Sequence, residues 1–357
     1  MKKVWIIGCI VLTMIVIHSC EKDPLISDPN AVSDYQPTRY HLKVPPGFPD
    51  YFSDENNPLT LEGIALGRKL FFDPILSRKD NISCGSCHLQ EAGFSDPAQF
   101  SLGTHGGRTA VQSMPVQNIA WMPQLFWDGR AKSPVDQAFQ PVANPIEMDL
   151  SWNEAVRKLQ DDAFYPDLFS QAFGTTEIDS LLVSRAIVQF EMTIVSSESK
   201  FDKVLRGETQ FSELEAFGSE LVFNTEEGDC FHCHGSILAT DNLFHNNGLD
   251  IDANLAPGRF DVTENDEDFG KFKTPSLRNL VFTAPYMHDG RFNTIRQVID
   301  FYSECVKVNR NIDNLMKQAH QGGIQLSEYQ KEALEAFLLT MTDSSIVTNP
   351  DFSDPNK

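Results

Sequence analysis

Two cysteines separated by two residues and followed at once by histidine occur twice, as "CGSCH" at Cys84–His88 and "CFHCH" at Cys230–His234. This is the pattern of covalent c-type haem attachment, in which two thiols become thioethers on the porphyrin edge and the adjacent imidazole reaches the iron from one side. One iron ligand per motif follows, His88 and His234. A zinc site assembled from both Cys-x-x-Cys pairs is the competing metal chemistry, and a redox dithiol is another. The pairs lie 146 residues apart, Cys84 to Cys230, and each carries the trailing histidine, which favours two haems.

What each iron does depends on its other face, since a second strong ligand leaves electron transfer and an open position admits small molecules. For the first haem, His105 sits between glycines in "GTHGG", where backbone can approach a cofactor. A surface histidine is the plain alternative. For the second, a helix opening at Thr294 aligns Ile295, Val298, Ile299 and Tyr302 on one apolar face, so Tyr302 points inward. A core tyrosine is the plain alternative there, and Met287 is a competing thioether ligand.

The elements that must position these groups are repeated. "GRKLFFD" (Gly67–Asp73) matches "GSELVFN" (Gly218–Asn224), each shortly upstream of a haem motif. Downstream, "NIAWMPQLFWDGR" (Asn118–Arg130) matches "NLVFTAPYMHDGR" (Asn279–Arg291). Three landmarks recurring in one order mean two copies of one structural unit, with a boundary near Lys200–Thr209. Capping-box patterns at Ser151/Glu154, Thr294/Gln297 and Ser327/Gln330 open helices. Leu334, Phe337, Leu338 and Met341 form one apolar stripe; Leu181, Leu182, Ile187, Phe190 and Ile194 form another. Strand runs are scarce. The expected class is mainly α, with two domains at 59–205 and 206–345, each holding one covalent haem, and a tail at 346–357.

Composition narrows the setting. With 29 basic and 50 acidic residues the formal charge is −21, which argues against nucleic acid and for a self-repelling surface that could steer a basic protein partner. Two lysines and an apolar stretch, Val4–Ile17, precede Ser19 and Cys20, as in a secretory signal at 1–19 too short to span a bilayer. Ile17-His18-Ser19-Cys20 resembles a lipobox, so Cys20 is the expected lipidated residue of an exported, periplasmic, membrane-anchored lipoprotein. Residues 20–58, polar and rich in proline, read as a tether and extended arm. Cys305, left without a pair, reads as a small buried apolar residue.

The chain from about Leu59 to Asp343 resembles the bacterial dihaem cytochrome c peroxidases and their relative MauG. The carriers are "LGRKLFFDPILS", "FWDGRA" (Phe126–Ala131), "NPIEM" (Asn144–Met148), "FKTPSLRN" (Phe272–Asn279), "TAPYMHDGRF" (Thr283–Phe292) and both haem motifs in order. The resemblance implies two cytochrome c-like domains. It makes the haem on Cys84, Cys87 and His88 peroxidatic and the one on Cys230, Cys233 and His234 an electron relay. Trp127 matches the tryptophan between the haems, Glu147 the distal glutamate, and Gln137 and Phe126 neighbours of that pocket. His105 matches a removable distal histidine, and Tyr302 the position where peroxidases have methionine and MauG has tyrosine. One Ca²⁺ would fall on Gln112 and the carbonyls of Thr283 and Pro285. The resemblance also suggests a homodimer.

The expected activity is reduction of H₂O₂ to water with electrons from a small exported redox protein, a cytochrome c or copper protein. Glu147 would shuttle the proton and Trp127 carry the electron. A MauG-like oxidase acting on another protein's side chains and a dihaem electron carrier are the rivals.

Overall fold

Thr60 opens the first long helix, Leu61–Phe72, its hydroxyl accepting from the Gly63 amide at 3.0 Å. The computed structural model describes residues 35–224 and 228–357. The expected signal at 1–19, Cys20 and the tether up to residue 34 lie outside the described residues. Helices and loops make up the fold, and two short strands, Phe244–His245 and Phe272–Lys273, pair antiparallel. The mainly α class read from the sequence is the class that forms.

Each half rests on a crossed helix pair, and the two pairs are built alike. Leu61–Phe72 packs on Ser180–Glu191, and Glu213–Phe223 packs on Glu328–Leu339. Backbones touch at both crossings, because a Cβ on Gly67 would lie 1.8 Å from the Ala186 carbonyl oxygen and one on Gly218 would lie 2.0 Å from that of Ala333. The glycine opening each matched segment is therefore a contact requirement. Phe190 and Phe337 close the same two joints.

The second matched pair also repeats in space. Asn118 and Asn279 both adopt left-handed backbone, φ 56° and 62°. The Asn118 amide donates to the Ile194 carbonyl at 2.8 Å, and its Oδ1 accepts from the Ser196 amide at 2.8 Å. The Asn279 amide donates to the Met341 carbonyl at 3.2 Å, and its Oδ1 accepts from the Asp343 amide at 2.6 Å. Each asparagine fastens a cavity-bearing loop to the chain leaving its scaffold helix. The capping boxes form at Thr294/Gln297 and Ser327/Gln330, and Ser151 caps its helix through the Glu154 amide.

The first-half core gathers Leu70, Phe71, Phe94, Ile187 and Phe190; the second gathers Phe201, Val222, Leu334 and Phe337. Arm residues Leu42 and Phe48 are buried in the first core. So are Ile346 and Phe352, which return from the far end of the described chain. Gln90 donates to the carbonyls of Ile346 and Asn349, and Arg68 to those of Pro350 and Ser353. Arg278 and Asp202 form a buried two-point ion pair at 2.9 and 2.6 Å.

Cys305 corrects an expectation, for it is exposed. It ends a π-helical turn, Phe301–Cys305, whose wider spacing sends Phe301 and Ser303 inward and the cysteine out. Among the described residues no helix is long and apolar enough to cross a membrane.

Candidate functional site: two haem cavities

Both haem motifs fold into one short helical turn that presents the histidine at its end. The His88 amide donates to the Cys84 carbonyl at 2.9 Å, and the His234 amide to that of Cys230 at 3.0 Å. His88 Nδ1 lies 3.0 Å from the Phe94 carbonyl, and His234 Nδ1 lies 3.0 Å from the Ala239 carbonyl. Phe94 and Ala239 are both left-handed, φ 62° and 52°. With Nδ1–H donated to a carbonyl, the Nε2 lone pair is left for a metal. Burial depresses both imidazole pKa values, favouring the neutral form that ligation needs.

Each motif faces its own cavity. The first is lined by Cys84, Cys87 and His88 with Phe126, Gln137 and Glu147; the second by Cys230, Cys233 and His234 with Met287 and Tyr302. With their open mouths included, the first encloses about 1250 Å³ of empty space and the second about 1900 Å³. Two thiols and an oriented imidazole on the wall of each fit a c-type haem. The rival chemistries fit poorly. Burial pushes the Cys84 thiol well up, Cys87 to about 11 and Cys230 to about 12, opposite to a reactive dithiol. The cysteine pairs stay in separate cavities, so no four-cysteine zinc site forms.

Gln112, Pro115, Trp127 and Lys273 line both cavities. Trp127 is buried and its indole N–H donates to the Gln112 carbonyl at 2.8 Å, which fixes the ring in the shared wall. Lys273 is the charged member of that wall, and burial pushes its ammonium down to about 8.

In the first cavity, Glu147 Oε1 accepts from the Asn144 amide at 2.7 Å. Burial raises its pKa above the ordinary carboxylate value, against the opposing Asn144 hydrogen bond and the Arg130 charge. The Arg130 guanidinium stacks 3.5 Å over the Phe126 ring. Glu191 also lines this cavity, its Oε2 without a hydrogen-bond partner and its carboxyl pushed up to about 8 by burial.

His105 is not brought to the cavity. Its loop closes through the Gly103 amide to the Gly107 carbonyl and turns at Gly106, φ 81°, which directs the imidazole outward. The ring is 44% exposed, with Nε2 2.8 Å from Asp149 Oδ2. The arrangement gives the plain alternative, a surface histidine, here within hydrogen-bond reach of Asp149.

In the second cavity the Tyr302 hydroxyl accepts from the Asn247 amide at 3.0 Å, and burial pushes the phenol up to about 12. Gln112, Thr283 and Pro285 are all among the residues lining this cavity. Their donors are oxygens, which is hard-cation chemistry, and no cluster of acidic, histidine or cysteine groups joins them among the described residues.

Sequence reasoning missed Glu191, Lys273 and Asn247. It also missed a correspondence that the repeat carries. Extending the offset of 161 residues (118 to 279) past the matched segments sets Gln137 against Val298 and Pro141 against Tyr302. All four line their cavities.

A family model described as di-haem cytochrome c peroxidase matches residues 61–210. The methylamine utilization protein MauG of Methylorubrum extorquens is 36% identical over 296 residues, 82% of each chain. The cytochrome c551 peroxidase of Nitrosomonas europaea is 33% identical over 297 residues, 81% of each chain. A solved MauG-like protein associated with microbial copper homeostasis superposes with a TM-score of 0.83 at 35% identity, covering 89% of this chain and 100% of that one. Two cavities furnished for covalent haem and similarity along most of the chain agree, and the protein belongs to the dihaem cytochrome c peroxidase family that includes MauG.

Proposed function

We propose that the protein reduces H₂O₂ to two waters at the first cavity, consuming two electrons and two protons. The electrons come from a small exported redox protein and pass by the second cavity and Trp127. The observation that carries the reading is Glu147, a half-buried carboxyl with a raised pKa that lines the same cavity as His88. Bound haem supplies the redox chemistry. Glu147, steadied at Oε1 by Asn144, takes the proton from one peroxide oxygen and returns it to the other, which leaves as water. Gln137 and Phe126 shape the space around it, and Trp127 in the shared wall is placed to pass an electron between cavities.

The test is an optical titration with H₂O₂ of the dihaem protein, fully oxidised and half-reduced. Reaction in the half-reduced form with two-electron turnover is expected; silence in both forms would leave an electron carrier and sink the proposal. A second reading is favoured by Tyr302, since a phenol in the second cavity suits higher oxidation states better than a thioether. On that reading the fully oxidised form reacts rapidly and oxidises side chains of a partner protein, as a MauG would.

Export, a lipid on Cys20 and a Ca²⁺ on Gln112, Thr283 and Pro285 complete the proposal. The mass of the mature amino terminus checks the lipid. Chelation should lower the thermal midpoint if the ion ties residues 112 and 283–285 together.

A further inference from the structure

Among the side chains lining the second cavity are two that differ sharply as iron ligands, the Tyr302 phenol and the Met287 thioether, and a single amide reaches both. Asn247 Nδ2 donates to the Tyr302 hydroxyl oxygen at 3.0 Å and lies 3.8 Å from Met287 Sδ. All three residues line the cavity.

That amide is held in place from both sides along the chain. Asn246, before it, is buried and exchanges side-chain hydrogen bonds with Asn309 at 3.0 and 3.2 Å, while its carbonyl accepts from the Asp313 amide at 2.9 Å. Gly248, after it, is left-handed at φ 72°, and its carbonyl accepts from the Lys307 amide at 2.7 Å. A Cβ on Gly248 would lie 2.6 Å from the Lys307 carbonyl oxygen, so the two stretches of backbone meet in close contact there. Tyr302 is equally fixed: its carbonyl accepts from the Ile324 amide at 3.1 Å, and the absent Cβ of Gly323 leaves room for that contact. At the corresponding positions of the first half the repeat sets Phe126 against Met287 and Pro141 against Tyr302, and neither phenylalanine nor proline can ligate.

We propose that Asn247 is a positioning residue that selects the sixth ligand of the second haem, holding the Tyr302 oxygen toward the iron and the Met287 sulfur away from it. The proposal rests on the reading that Tyr302 is a haem ligand. A hydrogen bond donated to the phenol oxygen stabilises the negative charge that oxygen carries when it binds ferric iron. The same amide, turned toward the thioether, occupies a sulfur lone pair that would otherwise be offered to the metal. One side chain thereby strengthens one ligand and weakens its rival.

The test is electron paramagnetic resonance and visible spectroelectrochemistry of the full dihaem protein in five forms. These are wild type, Tyr302→Phe, Asn247→Leu, Asn247→Asp and the double variant Asn247→Leu/Met287→Leu, each with haem content checked at two per chain. The wild type should show a phenolate-type second haem that Tyr302→Phe abolishes. Asn247→Leu should move the balance from phenolate to thioether by roughly tenfold or more, the weight of one hydrogen bond to a charged group, and raise the potential of the second haem. Asn247→Asp, close to isosteric but without the donor, should move it in the same direction. Adding Met287→Leu should remove the thioether signal. A wild-type spectrum and potential in both Asn247 variants would overturn the proposal while leaving phenolate ligation intact. An unchanged spectrum in Tyr302→Phe would instead overturn the ligation reading, and the selection with it.

Discussion

The Ser180–Glu191 helix gives the first cavity Ile187 and Glu191, and its counterpart Glu328–Leu339 gives the second Leu334 and Leu338. The next helices differ in the same sense: Gln137 and Pro141 line the first cavity where Val298 and Tyr302 line the second. Glycine joints, asparagine fasteners and histidine-orienting carbonyls are shared by the halves, so the scaffold is duplicated and the lining is not. At these corresponding places the first cavity has groups that hold or pass a proton and no ligand, whereas the second has hydrocarbon and a phenol. One scaffold therefore carries a carboxyl-bearing lining in one half and a hydrocarbon lining with a phenol in the other, the difference on which the proposed division of roles rests.

The largest expected effect comes from removing the proton group of the first cavity alone. Glu147→Gln should lower peroxide turnover by roughly 10²–10⁴-fold, the usual contribution of a positioned acid–base group. Both haems and the second-haem spectrum should persist. Equal loss at both haem spectra would mean a structural collapse, and unimpaired turnover would take Glu147 out of the reaction. Wild-type turnover should fall as pH drops through the Glu147 pKa, because protonation removes the accepting carboxylate. Burial sets that limb above the ordinary carboxylate range.

Next in size are the two joints. Gly67→Ala and Gly218→Ala each drive a methyl into a carbonyl across a helix crossing, and each should cost about 1–3 kcal/mol in denaturant unfolding of the haem-loaded protein. Similar costs would confirm equivalent joints. A harmless change at one would show that the halves have diverged in packing as well as in lining.

The smallest effect concerns Glu191. Its carboxyl is pushed up to about 8, against about 4.3 in an unfolded chain, so the native protein takes up a proton on folding between those values. The stability this gives is complete below about 4.3 and is lost as pH rises toward 8. Glu191→Gln should flatten that slope in the denaturation midpoint. Parallel midpoints for both proteins across the window would mean Glu191 keeps an ordinary pKa.

Much of this was legible in the sequence because it is written in spacing. The haem-attachment motifs and the capping residues are carried by positions a few apart and the duplication by segments repeated in one order; the helical class forms, and the boxes close at Thr294/Gln297 and Ser327/Gln330. His105 was not, because one left-handed turn at Gly106 decides whether the imidazole faces the cavity or Asp149. Cys305 was not, because an apolar pattern with helical period does not announce a π turn. Asn247 and Glu191 were invisible for a different reason. Asn247 meets Tyr302 across 55 positions, and Glu191 shares a cavity with residues as far away as Ile82. The Pro141–Tyr302 correspondence needed only the repeat carried eleven residues beyond Arg130 and Arg291, where the matching letters end.

The return of Ile346 and Phe352 to the first core bears on how the molecule is made. The Phe352 ring lies 6.4 Å from that of Phe94, whose carbonyl orients His88. Phe352 follows Phe94 by 258 positions, and a chain synthesised amino end first delivers it late. The segment around Cys84 is thus available to the haem-attaching machinery well before the wall behind its histidine exists. The wall behind His88 therefore closes only when residues from both ends of the described chain have come together.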